Sequence, residues 1–159
     1  MPFSIQFKRR FTINNTALGA EAQIGTPITF ISETHEMFFY EYLEKVRYQD
    51  VYHQALIYTL GICNDTRKNV DRIYDFEIGC VKPECLQEGW QTSGSARVVR
   101  LAFNLYSNGT PSVDNVADVD EQLSECRCYG VEEIFCCSYA PYFWQATKSK
   151  YAHLSAILT

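Results

Sequence analysis

No apolar run in the chain approaches the ~18 residues that a membrane-spanning helix needs. The basic opening "MPFSIQFKRR" is not followed by the apolar stretch of a secretory leader, so a cytoplasmic protein is expected. Proline is sparse, at five in 159 residues, and no Pro/Gly linker is long enough to divide the chain. Internal repeats and low-complexity tracts are also missing. Histidines number three, and "HEMFF" at His35 lacks a second histidine four residues on, which excludes the zinc-protease pattern. No Gly-rich phosphate loop follows a strand pattern, and no cysteine stands in a recognisable nucleophile motif. Catalysis therefore has few footholds, and the prediction is a non-enzymatic protein.

What is present is apolar and aromatic, 47% and 14% of the residues, in a length that fits one domain with its own core. Basic residues number 14 and acidic ones 19, a net charge of −5, which argues against wholesale binding to nucleic acid and leaves open a basic protein partner. The charge is unevenly spread. Lys8, Arg9 and Arg10 precede every acidic residue, whereas the stretch from Asp114 to Glu125 holds Asp114, Asp118, Asp120, Glu121 and Glu125 and no base. That stretch is either a solvated loop or an acidic patch that steers the protein onto a positive groove.

Periodicity predicts a mainly α fold, one compact helical domain of about five helices over 29–159, with residues 1–28 as a short N-terminal β-hairpin or extended arm. Ser32 caps a first helix whose apolar positions are Met37, Phe38, Tyr40, Leu43 and Val46. Asp50 caps a second, apolar nearly all round and so the most buried. Asn64 to Thr66 start a third, "TRKNVDRIYDF". In the helix 94–106, Val98, Leu101, Ala102 and Leu105 recur at i, i+3, i+4 and i+7. The stretch "VEEIFCCSYAPYFWQATKSKY" closes the chain as a helix interrupted or kinked at Pro141. His35 and His53 fall in first turns beside their caps, positions that are structural or on the surface.

Seven cysteines in a reducing compartment read as buried thiols or metal ligands rather than as disulfides. Cys80 and Cys85 flank a Lys-Pro-Glu turn, which lets two thiolates approach one tetrahedral ion, and Cys126 and Cys128 share one face of an extended segment. Together they are a candidate set for structural zinc, with unligated core thiols as the competing account. Cys136 and Cys137, on a predicted helix, and Cys63 read as core thiols.

Two further features carry alternatives. The amides of Thr92 to Ser95, with Arg97 and Arg100 on one face of the helix they open, offer an anion site for a small enzyme or a nucleic-acid-associated factor. The duller account is that Ser95 caps the helix and the arginines are solvated. The run "YAPYFW" holds Tyr139, Tyr142, Phe143 and Trp144, which cannot all face inward on one helix, so Tyr142 and Trp144 are candidate partner anchors beside a core reading.

The stretches "FISETHEMFFYEYLEKVRYQDVYHQALIYTLGI", "GWQTSGSARVVRLAFNLY" and "FCCSYAPYFW" resemble a small domain family of unknown function from phages and conjugative elements of Gram-positive bacteria. The resemblance covers about Thr29 to Tyr151 and leaves out the first 28 residues. It implies a binding role, that of an anti-CRISPR inhibitor acting in the host bacterial cell on the type II effector nuclease. It also implies a parallel with cysteine-rich inhibitors that hold zinc. An all-α accessory protein of the same kind of element is the plainer alternative.

Overall fold

Two polar caps start the first two helices. Ser32 is extended, and its Oγ accepts the His35 amide at 3.2 Å, which opens α1 (Glu33–Leu43). Asp50 does the same for α2 (Val51–Ile62), its Oδ1 accepting the His53 amide at 2.9 Å. Both caps stand where the sequence places them. The computed structural model describes residues 28–107 and 131–155. The predicted N-terminal arm, apart from its last residue, and the whole acidic stretch lie outside the described residues.

The described part is mainly helical, as the periodicity predicts, around α2. Every residue of α2 from Ala55 to Ile62 is buried, and α1, α5 (Ser93–Ser107) and α7 (Ala140–Ser155) all pack on it. Leu56, Ile57 and Leu60 are fully buried, and each contributes on the order of 2 kcal/mol by leaving water. From α5, Val98, Val99, Leu101, Ala102, Phe103 and Leu105 enter the same core, and Phe143 and Ala146 come from α7. The inward stripe of α1 differs from the expected one. His35, Phe38 and Phe39 are its buried residues, whereas Met37 faces solvent at 57% exposure and Tyr40 stands at the surface.

After α2 the predicted third helix breaks in two, α3 (Asn64–Lys68) and α4 (Val70–Ile73), with Asn69 between them. The chain then turns extended. Tyr74–Asp75 (β1) and Cys80–Val81 (β2) pair antiparallel, with Tyr74 opposite Val81 and Asp75 opposite Cys80. The first strand falls within the stretch "TRKNVDRIYDF" that the sequence predicts as helix. The turn of this hairpin is built by Asp75, whose Oδ1 accepts the amides of Glu77 and Ile78 at 3.0 and 2.9 Å. Gly79 completes the turn at φ +83°, in the left-handed region open to glycine. A 3₁₀ turn over Pro83–Gln87 follows. At the far end, α6 (Val131–Phe135) and α7 are separate helices, and Pro141 sits in the first turn of α7 rather than at a kink.

His35 locks α1 to α2. Its Nδ1 accepts the Ile31 amide at 3.3 Å and its Nε2–H donates to the Tyr58 carbonyl at 2.7 Å, so the ring is neutral with its proton on Nε2. Burial holds its pKa down, at about 4. The close approach depends on Gly61, where an added Cβ would stand 2.5 Å from His35 Cδ2.

Candidate functional site

Asp50 performs a second task besides capping. The same Oδ1 that takes the His53 amide lies 2.8 Å from His53 Nδ1. A carboxylate can only accept, so Nδ1 carries a proton, and Nε2 on the opposite side of the ring meets the Tyr74 hydroxyl at 3.1 Å. Tyr74 is buried at the start of the hairpin. Burial first, and then the neighbouring Tyr106 hydroxyl, push its own hydroxyl above the ordinary tyrosine range. Tyr106, near the end of α5, donates to the Gly79 carbonyl at 3.0 Å. Hydrogen bonds thus link the cap of α2 to the Tyr74 hydroxyl through the His53 ring, and Tyr106 beside it ties α5 to the hairpin turn.

Above this network the surface forms a cup of about 320 Å³ lined by Asp50, Tyr52, His53 and Tyr106. The Tyr106 and His53 rings meet edge to face, 5.2 Å between centroids. Tyr48 stands beside them with its ring 6.3 Å from that of His53 and is 62% exposed. Val51, Tyr52 and Tyr151 are exposed as well. The Lys150 ammonium of α7 lies nearby, 5.1 Å from the Tyr52 ring centroid and 4.9 Å from that of Tyr151. The imidazole is buried, and internal partners engage both its nitrogens, so its chemistry is turned toward the core.

The residues singled out in the sequence are scattered by comparison. Trp144 is 52% exposed and rests on Phe135, ring centroids 4.4 Å apart, while Tyr142 is half-buried against the core. Of the zinc set, Cys80 is exposed on β2, and Cys85, in the 3₁₀ turn, is completely buried. Burial, with the nearby Glu88 and Glu84, pushes the Cys85 thiol up to about 12. Cys126 and Cys128 lie outside the described residues, and among the described residues no three of His, Cys, Asp and Glu gather as metal ligands. The five acidic candidates, Asp114, Asp118, Asp120, Glu121 and Glu125, also lie outside the described residues. Cys63 is buried, as expected of a core thiol, whereas Cys136 and Cys137 fall between α6 and α7, with Cys136 exposed and Cys137 partly so.

The start of α5 is occupied by its own side chains. Thr92 and Ser95 cap reciprocally, the Thr92 amide donating to Ser95 Oγ at 2.8 Å and the Ser95 amide to Thr92 Oγ1 at 3.1 Å. Thr92 Oγ1 also lies 3.5 Å from the Asp65 carboxylate. An acidic oxygen beside a capped helix start is a poor setting for an anion.

The cup escaped the sequence reading because its walls come from distant segments. The spacing of Asp50 and His53 across a helix start is visible in the sequence, where Asp50 reads as a cap and His53 as a structural or surface residue.

Fold and site together define a mainly helical protein with an aromatic recess at one end of its central helix. The chain belongs to a family of unknown function, DUF6075, whose model matches residues 25–156. No curated protein and no solved structure matches it. Among the described residues, no helix is long and apolar enough to cross a membrane.

Proposed function

We propose that the chain is a non-enzymatic binding protein of a phage or conjugative element, an anti-CRISPR inhibitor that docks on the type II effector nuclease in the host cytoplasm. The observation that supports a binding role is the ring-rich surface at the start of α2, where Tyr48, Val51 and Tyr52 stay exposed around a cup next to Tyr151. Tyrosine supplies large contact area at low entropic cost and is enriched at the centres of protein interfaces. The sequence resemblance supplies the choice of partner, and the excess of acidic residues suits a basic one. Trp144 and Tyr142 on α7 are second-choice anchors.

The test is a pull-down and DNA-cleavage assay with purified type II effector. Capture of the effector together with loss of cleavage supports the reading, and normal cleavage with no capture removes it. A structural zinc on Cys80, Cys85, Cys126 and Cys128 belongs to the same proposal. Elemental analysis checks it, the expected outcome being about one zinc per chain, lost in Cys80→Ser.

A further inference from the structure

We infer that the cup at the start of α2 receives a cationic side chain of a partner protein, a lysine ammonium or an arginine guanidinium, against the rings of Tyr52 and Tyr106 with the Asp50 carboxylate beside it. This rests on the binding role proposed above and names what that role recognises.

Size comes first. The cup holds about 320 Å³ and opens widely to solvent, so it has room for one head group presented from a partner's surface. Chemistry then selects the occupant. The lining is three aromatic rings and one carboxylate, and none of its four residues is lysine or arginine. An anion entering it would meet the Asp50 charge. A neutral apolar group would cover that charge without pairing it, at a cost in desolvation. A cation gains from both surfaces, from the negative faces of the rings and from the carboxylate. Asp50 keeps nearly half of its side chain in solvent, so its charge is accessible while one oxygen is held by the helix start and by His53.

The Lys150 ammonium lies near the Tyr52 and Tyr151 rings with Lys150 2% exposed, so a cation entering the cup shares Tyr52 with that charge and is held chiefly by Tyr106 and the Asp50 carboxylate. Tyr52 remains 39% exposed with that ammonium in place. Two of the three rings are also preorganised. His53 is fixed by Asp50 and Tyr74, and Tyr106 by its bond to the Gly79 carbonyl, so little side-chain entropy is lost when the cup fills.

The experiment is an NMR titration of the whole chain with choline, with N-acetyl-arginine amide, and with 3,3-dimethylbutan-1-ol, a neutral counterpart of choline. Choline and the arginine derivative should shift the Tyr52 and Tyr106 ring signals saturably, with the neutral alcohol about tenfold weaker, as the cation–ring attraction dictates. Tyr52→Phe should keep binding and Tyr52→Leu should lose it. Asp50→Asn, which retains a capping oxygen, should weaken both cations and leave the alcohol unchanged. Absence of ring shifts with choline, or equal affinity for the alcohol, overturns the inference without any variant being needed. Cation binding without effector capture would instead count against the choice of partner and leave the cup as assigned.

Discussion

His35 and His53 each stand three residues after a helix cap, and the two rings end in different surroundings. Ser32 is a neutral cap with nothing more to offer the ring, so His35 Nδ1 turns to accept the Ile31 amide and its proton moves to Nε2, toward Tyr58. Asp50 is a charged cap, takes Nδ1–H itself, and leaves Nε2 to the Tyr74 hydroxyl. The cap thus selects the tautomer. Packing does the rest. His35 lies against Gly61, where the missing side chain lets the core close over it, whereas His53 lies against the phenols of Tyr74 and Tyr106 and lines an open cup.

The largest effect separating the two regions should come from pH. The folded-state pKa of His35 is about 4 against 6.5 for an unperturbed ring, so at neutral pH neither state carries the proton. Below pH 6.5 the unfolded chain protonates first, and stability falls by about 3 kcal/mol as pH drops to about 4. Urea unfolding across that range should show the slope, and His35→Gln should flatten it. A slope unchanged in that variant would place the acid sensitivity elsewhere.

Next in size is Gly61→Ala. The new methyl would meet His35 at 2.5 Å and Phe38 at 3.0 Å, an overpacking that costs about 2 kcal/mol after any gain in helix propensity. In a His35→Ala background the cost should shrink, which a double-mutant cycle measures directly. Full additivity would mean that the ring is not what constrains Gly61.

The smallest of the three lies at the cup. Asp50→Ala should cost about 1 kcal/mol through the lost cap, and Asp50→Asn only a fraction of that. Thermal melts of both variants would read the difference. Equal losses would show that the carboxylate charge, and not the cap, dominates at this corner.

Much of this was legible from residue types with a local mechanism. Ser32 and Asp50 announce their helices, and the all-round apolar α2 announces the centre of the core. Tyr74 and Phe76 misled, because a helical reading of "TRKNVDRIYDF" ignores the turn that Asp75 makes with the amides of Glu77 and Ile78. The inward face of α1 was misjudged for a related reason. Met37 and Phe39 are both apolar, and only the position of α2 decides which of them is buried. The cup was not legible at all, since proximity of Tyr52 to Tyr106 is a property of helix packing and not of any local pattern.

The tilted contact of Trp144 with Phe135 has a spectroscopic meaning. The chain has two tryptophans, and they sit in unlike settings. Trp144 is exposed on a ring, while Trp90 is half-buried with its indole N–H held by the Glu88 carboxylate at 2.5 Å. Iodide should quench the emission of Trp144 far more than that of Trp90. The protein therefore carries an intrinsic fluorophore at the α6–α7 junction whose quenching reports any partner that covers that face, with no dye or tag attached.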